Sequence, residues 1–186
     1  MLLRLNSAGP LRAELRWLLF APAAVLGLVM SCGGGDFRQS RNGSVYRDAE
    51  ARYRVGNPGS GWSRLSVEDE NDLAWHHQGL SAVIQVNASC DGRLDIPLRA
   101  LTGQLLIGFT DREVRTEELV PFDRREALRT HLTARLDGVA RELVFHILKK
   151  DGCVYDLSLV APPDERFAQA EASYQAVLAG FGTTAP

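Results

Sequence analysis

The sequence predicts an α+β domain built on a twisted, mostly antiparallel sheet that is covered on both faces. Three apolar strands are joined by two-residue Asp-Gly turns at 137–138 and 151–152, which is typical of an antiparallel meander. The middle strand, at 139–149, is apolar on both of its faces, so both must be buried. After Asp164, apolar residues recur at helical spacing and predict a C-terminal helix. Such a sheet needs a helix layer on at least one face and another element on the other.

The composition is that of an ordinary folded domain. The 186 residues are 45% hydrophobic and 24% charged, which excludes wholesale disorder and collagen-like or coiled-coil architectures. Lysine and arginine together number 21 against 23 acidic residues, a net charge of −2. Because wrapping nucleic acid needs a strong basic excess, we expect no nucleic-acid partner. The sequence contains no recognised cofactor motif, so we also expect no cofactor.

Residues 1–31 are predicted to be an export signal. Residues 1–16 carry three arginines and one acid, and an apolar stretch follows at 17–30. That stretch is too short to span a bilayer comfortably. A buried N-terminal helix is the alternative, but its apolar residues would occupy every face of the helix and would stop at the three glycines of 33–35.

The end of this segment resembles a bacterial lipobox. Residues 28–32 read Leu-Val-Met-Ser-Cys, with a small residue before the cysteine that would become the mature N-terminus. The resemblance implies that Cys32 is acylated and anchors the protein to a lipid bilayer. The residue directly after this cysteine, Gly33, is not an aspartate. The resemblance therefore implies that the protein is attached to the outer membrane and faces the periplasm. We therefore expect a lipid-anchored envelope protein with a flexible tether at 32–43 and one globular domain at 44–183.

Cys90 and Cys153 are the two cysteines that remain after such processing. An even count in an exported chain favours a disulfide. Each cysteine lies beside an Asp-Gly turn at the end of a predicted strand, so we expect neighbouring strand ends with Cα atoms within about 7 Å. Two unpaired buried thiols are the alternative.

The first half of the domain is predicted to be mostly strands. Alternating apolar and polar residues at 45–55 predict a half-buried strand, and the Gly- and Pro-rich segment 56–61 predicts a turn. The acidic run 68–72 is expected to be a solvated loop. Further strands are predicted at 62–67, 73–77 and 81–88.

A helix is expected to follow these strands. Leucines at helical spacing predict it at 96–107, with Asp95 as N-cap and Pro97 in the first turn. Residues 110–113 read as a polar connection, and 114–122 as an extended segment that leads to the meander.

This order of elements resembles the photosystem II extrinsic PsbP proteins and their Mog-type relatives. The positions that carry the likeness are Pro-Gly-Ser-Gly-Trp at 58–62, Leu98, Leu101, Ala-Pro-Pro at 161–163, Phe167 and Phe181. The resemblance implies an α/β/α sandwich around the sheet, in a family dominated by non-enzymatic binding and assembly proteins. It carries over no photosynthetic cofactor site, because no residue pattern here corresponds to one.

The sequence contains no persuasive catalytic constellation, so the leading interpretation is a non-catalytic lipoprotein that binds or assembles with an envelope protein. One alternative is a small periplasmic hydrolase or metal-dependent enzyme that uses His131 or His146, which lie on paired strands but not directly opposite each other. The other alternative is a lipoprotein that binds a small ligand in a pocket beneath Trp62 and Trp75.

Overall fold

Two antiparallel sheets and two helices make up the domain in a computed structural model, which describes residues 35–40, 43–65, 72–90 and 96–183. The predicted signal and Cys32 lie outside the described residues. The larger sheet has the spatial order β4 (Ser63–Leu65), β5 (Leu73–His77), β6 (Ala82–Ser89), β10 (Cys153–Ala161), β9 (Val139–Lys150), β8 (Arg125–Leu136) and β7 (Phe109–Phe122). The smaller sheet has the order β1 (Asp36–Ser40), β2 (Gly43–Arg47), β3 (Arg52–Val55) and β11 (Gly182–Thr183). The helices are α1 (Leu98–Leu105) and α2 (Glu165–Ala179). No described helix has the length and hydropathy needed to cross a membrane.

The predicted meander is formed by β8, β9 and β10. Asp137 and Gly138, which link β8 to β9, have φ angles of +50° and +78°. Asp151 and Gly152, which link β9 to β10, have φ angles of +52° and +80°. Positive φ at both central residues gives the hairpin turn whose twist matches the flanking strands. The two Asp-Gly pairs therefore set the register of the three longest apolar strands.

β9 is buried on both faces, as the sequence predicts. Val144 and Leu148 are fully buried on one face, and Leu143 and Ile147 on the other. The first face packs in a core that includes the buried α2 residues Phe167, Ala170, Tyr174, Val177 and Leu178. The second face packs against Leu101 of α1. The α+β class is thus confirmed, and the two helices lie on opposite faces of the larger sheet.

The smaller sheet is a layer that the prediction did not contain. It shares the α2 side of the larger sheet, because Tyr53 and Val55 of β3 belong to the same buried core as Val144 and Tyr174. The predicted alternation holds at 52–55, where Tyr53 and Val55 are buried while Arg52 and Arg54 are exposed. The single strand predicted at 45–55 is wrong, because the segment forms two strands, β2 and β3, which pair antiparallel. α2 begins at the predicted cap, where the Asp164 side chain accepts a hydrogen bond from the Arg166 backbone N–H at 3.0 Å.

The expected tether at 32–43 needs correction. Residues 36–40 form β1, which pairs with β2 from Asp36 opposite Arg47 to Ser40 opposite Gly43. Phe37 packs against the main core, and the Arg64 guanidinium carbon lies 3.4 Å from the centroid of its ring. The sequence pattern did not predict this strand because its composition is polar. Backbone pairing to β2, rather than burial of alternating apolar residues, stabilises it.

The region around α1 also differs from its prediction. α1 begins at Leu98 with Pro97 at the N-cap position instead of in the first turn, and the expected cap Asp95 lies outside the described residues. Residues 110–113 are not a connection, because β7 already begins at Phe109. The pairing of β7 with β8 contains two register shifts within 110–116, which explains why no simple alternation marked this part of the strand.

A disulfide joins Cys90 to Cys153, whose Cα atoms are 4.0 Å apart. Cys153 opens β10, and Cys90 directly follows Ser89 at the end of β6. In the register of these two strands Val154 lies opposite Ser89, so the cysteines occupy the next pair along the ladder. The bridge therefore ties β6 to β10 at one end of both strands.

Replacing both cysteines with alanine should lower the free energy of unfolding by about 2–4 kcal/mol, because the bridge closes a long loop, with a separation of 63 positions, in the unfolded chain. Urea denaturation measures the loss. A reducing agent should lower the stability of the wild type and leave the double variant unchanged. Two alkylatable thiols in the unreduced, denatured wild type would contradict the bridge.

Candidate ligand-binding site

The α1 face of the larger sheet has an apolar half and a polar half. Beneath α1, β8 and β9 contribute apolar side chains such as Leu132 and Phe145. Beside α1, β6 and β10 contribute polar side chains in two cross-strand pairs, Asn87 opposite Asp156 and Gln85 opposite Ser158. Directly opposed residues in an antiparallel pair point to the same face, so these four side chains lie together.

A groove runs along the flank of α1 above this polar half. Its larger part has a volume of about 310 Å³ and its smaller part about 80 Å³, and Asp156 and Leu105 line both parts. The larger part is also lined by Gln85, Asn87, Phe109, Leu143, Phe145, Ser158 and Val160. The smaller part is also lined by Ser89, Leu101, Gln104, Ile147 and Val154. The larger part is within the size range of small-molecule sites and has their usual mixture of apolar walls and a few polar groups.

Asp156 is the single charged side chain among the described residues that line this groove. The Asn87 side-chain amide donates to its Oδ1 at 3.0 Å. Burial raises the pKa of Asp156 to about 6, against the lowering effect of the Asn87 hydrogen bond, and the nearby Asp72 carboxylate adds to the rise. At neutral pH the groove therefore holds a mostly ionised carboxylate in a partly buried place.

The Asn87 amide is held from both sides. Its Oδ1 accepts a hydrogen bond from the Asp72 backbone N–H at 3.1 Å, while its nitrogen donates to Asp156. The Asp72 carboxylate in turn accepts from the Tyr53 hydroxyl at 2.9 Å and from the Ala88 N–H at 2.8 Å. These bonds fix which end of the amide faces Asp156.

Asp72 corrects part of the expected solvated loop at 68–72. Its carboxylate is partly buried, and burial raises its pKa, although its hydrogen bonds oppose that rise. Residues 68–71 lie outside the described residues.

Elsewhere on the groove floor, the Ser158 hydroxyl donates to the Gln85 side-chain oxygen at 3.4 Å. The groove therefore presents a carboxylate, amides and a hydroxyl next to apolar walls.

His146 lies on the opposite face of the sheet, toward α2. Its Nδ1 is 3.0 Å from the Tyr174 hydroxyl, and that hydroxyl is 2.8 Å from the Leu157 carbonyl oxygen. A hydroxyl has one proton and the carbonyl can only accept, so Tyr174 donates to Leu157 and His146 donates through Nδ1. Burial lowers the pKa of His146 to about 4, and the Arg129 charge contributes. His146 is thus a neutral side chain that ties β9 to α2.

His131 is also on the α2 face and has a different partner. Its Nε2 lies 2.8 Å from Glu142 Oε1, which also accepts from Arg115 at 2.7 Å. Its ring stacks on Phe167 with the centroids 5.4 Å apart. As expected, the two histidines are not directly opposite, because His131 pairs with Val144. The described part of the chain holds no group of three or more His, Cys, Asp or Glu side chains that could bind a metal ion.

The two tryptophans do not line this groove. Trp75 is 2% exposed and belongs to the core on the α2 side, and Trp62 packs against the same core, edge-on to the His77 ring. The groove therefore lies on the other face of the sheet from the tryptophans beneath which a pocket was expected. Sequence reasoning did not single out the polar groove residues, although Gln85 and Asn87 alternate with the buried Ile84 and Val86 along β6.

Comparisons with known proteins show the fold. No family model matches the chain, and no curated protein matches it in sequence. Among solved structures, PsbP (CyanoP) from the cyanobacterium Synechocystis sp. PCC 6803 superimposes with a TM-score of 0.56 at 14% identity. The match covers 85% of this chain and 100% of that one. The domain has the PsbP fold. The resemblance inferred from the order of elements is thus confirmed at the level of fold.

A second solved structure has the same fold. LpqN of Mycobacterium tuberculosis, a protein involved in cell envelope biogenesis, matches with a TM-score of 0.51 at 11% identity. The match covers 73% of this chain and 86% of LpqN.

Replacing Asp156 with asparagine in this PsbP-fold domain should raise the free energy of unfolding at pH 7.5 by about 1–3 kcal/mol. The carboxyl binds its proton more tightly in the folded state, so its ionisation costs stability as the pH rises from 3.8 to about 6, and the full cost remains above that. The gain in the variant should therefore shrink as the pH falls from 7.5 to 4. Denaturation at several pH values measures it.

The variant Asp137→Asn makes the same change of charge at an exposed turn residue that does not line the groove, and it serves as the control. The difference between the two variants then measures the effect of the groove rather than the loss of one negative charge. A gain for Asp156→Asn that is independent of pH would contradict the proposed cost of ionising this carboxyl.

Proposed function

We propose that this chain is a lipid-anchored bacterial envelope protein whose PsbP-fold domain binds a small ligand in the α1 groove and catalyses no reaction. The observation that carries the proposal is the groove itself, where one partly buried carboxylate, Asp156, lies among amides, a hydroxyl and apolar walls. This combination is typical of sites that orient a ligand through a few polar contacts.

The envelope location is supported by three independent features. The first 31 residues resemble an export signal that ends in a lipobox at Cys32. The Cys90–Cys153 bridge suits an oxidising compartment outside the cytoplasm. LpqN, which shares the fold, is involved in cell envelope biogenesis. Gly33 after the acylated cysteine supports the outer membrane as the site of attachment, with the domain facing the periplasm.

Binding without catalysis is favoured by the chemistry around Asp156. Enzymes that use both a general acid and a general base place two titratable groups with different pKa values in one site. The described residues that line the groove contribute no second acid, no histidine and no lysine. His131 and His146, the residues of the enzymatic alternative, are engaged with Glu142 and Tyr174 on the opposite face of the sheet.

An envelope protein as partner remains part of the proposal. β7 is the terminal strand of the larger sheet, and Val114 and Leu119 on it are 54% and 57% exposed. A protein partner could therefore reach this edge without entering the groove. Purification of the full chain from envelopes separates this assembly role from ligand binding.

Replacing Cys32 with serine should abolish fatty-acid attachment, because the thioether needs the cysteine sulfur. Metabolic labelling of bacteria with a radioactive fatty acid measures it, with wild-type protein and Cys90→Ser as controls that keep Cys32. Equal labelling of the wild type and of Cys32→Ser would remove the lipid anchor from the proposal.

Filling the groove should displace its ligand. Gln85→Trp places a large ring on the groove floor. Val83→Trp introduces the same ring on the same face of β6, two residues away, at a position that does not line the groove. The full chain is purified from envelopes and analysed by mass spectrometry. A small molecule should accompany the wild type and Val83→Trp, and the amount that accompanies Gln85→Trp should be at least tenfold lower.

The same samples test the assembly role. One protein recovered equally with all three forms, with no small molecule on the wild type, would reject the groove ligand and favour assembly with an envelope protein.

A further inference from the structure

The sign of the charge in the groove restricts what it can hold. Asp156 contributes a carboxylate, and the described lining residues include no arginine, lysine or histidine to balance it. A second carboxylate, Asp72, lies just beyond Asn87 and raises the pKa of Asp156. Since like charges repel strongly in a partly buried site, an anionic ligand such as a fatty acid or a phosphate is disfavoured there.

Among the described residues, the Asp156 carboxylate has unused capacity as an acceptor. An ionised carboxylate offers about four lone-pair positions, and the hydrogen bond given above for it comes from the Asn87 amide to Oδ1 alone. The Asn87 amide cannot turn to meet a ligand instead, because its oxygen is bonded to the Asp72 N–H. The remaining capacity of Asp156 is best met by a donor that also carries positive charge.

The walls next to Asp156 are apolar and aromatic. Phe109 and Phe145 line the larger part of the groove together with Leu143. Aromatic faces attract cations as well as hydrocarbon, and the Ser158 oxygen provides a further acceptor on the groove floor. A ligand that fits these surroundings has a positively charged nitrogen at one end and a hydrocarbon part at the other.

We infer that the groove binds an organic amine, with its ammonium group on the Asp156 carboxylate and its hydrocarbon part against Leu143 and Phe109. This inference rests on the proposed function, that the groove is a ligand site, and adds the chemical class of the ligand. It assigns Asp156 as the residue that selects a cation over a neutral or an anionic ligand.

Three probes of equal chain length separate the charge from the hydrocarbon. The full chain in a non-ionic detergent is titrated at pH 7.5 with hexylammonium, hexanol and hexanoate in a calorimeter. Hexylammonium should bind with one-to-one stoichiometry and at least tenfold more tightly than hexanol, and hexanoate more weakly than either. Asp156→Asn should reduce the affinity for hexylammonium to that for hexanol, whereas Asp137→Asn, which removes the same charge from an exposed turn, should keep the wild-type affinity.

The stability of Asp156→Asn, measured on the same samples, shows whether a loss of binding reflects unfolding. Equal binding of hexylammonium and hexanol, abolished for both by Gln85→Trp, would overturn the cation inference and leave the groove as a ligand site. Hexylammonium binding that survives Asp156→Asn would overturn it as well. Failure of all three probes to bind would also overturn it, while the proposed function is decided separately by the molecules that accompany the protein from envelopes.

Discussion

The burial of β9 on both faces is the constraint on which the rest of the structure depends. A strand with Leu143 and Ile147 on one face and Val144 and Leu148 on the other must be covered twice. On one face, α2 and the smaller sheet provide a wide cover. On the other face the cover is α1, which has 8 residues and is therefore about 12 Å long and about 10 Å wide. Because strands lie about 4.8 Å apart, a helix of this width covers about two of them.

The groove follows from this limited cover. α1 lies over β8 and β9, so β10 and β6 pass beside it. On the α1 face of the sheet, side chains of β6 and β10 reach solvent beside the helix. Both strands carry polar residues at these positions. The polar residues are connected across the sheet, since Asp156 is linked through Asn87 and Asp72 to Tyr53 of the smaller sheet. A network of this kind holds its members in fixed orientations when each of them has partners.

Much of the fold could be predicted from local pattern. The Asp-Gly turns, the doubly apolar β9 and the cap at Asp164 are signals within a few residues of one another, and each predicted its element. β1 and the start of β7 could not be predicted in this way, because pairing with β2 and β8 stabilises them more than their own periodicity does. The smaller sheet was missed for the same reason, since β11 pairs with β3 from the far end of the chain.

The groove could have been derived by one more step. If Cys90 and Cys153 are bridged and their strands are antiparallel, counting back along the ladder places Ser89 opposite Val154 and Asn87 opposite Asp156. The predicted disulfide therefore already contained the pairing that brings the polar residues together. What the sequence could not supply is the position of α1, because a helix can pack over any pair of strands that offers it an apolar surface.

The two register shifts in β7 affect whether neighbouring copies of this protein can pair edge to edge. A long straight edge strand is a template on which a second chain can add, and repeated addition gives fibrils. β7 has 14 residues and ends the larger sheet, but its ladder is interrupted near Thr110 and again near Val114, and charged side chains follow one another along it. Crowding on a surface would favour growth of such an edge. The interrupted register and the charged side chains of β7 make the edge a poor seed for aggregation.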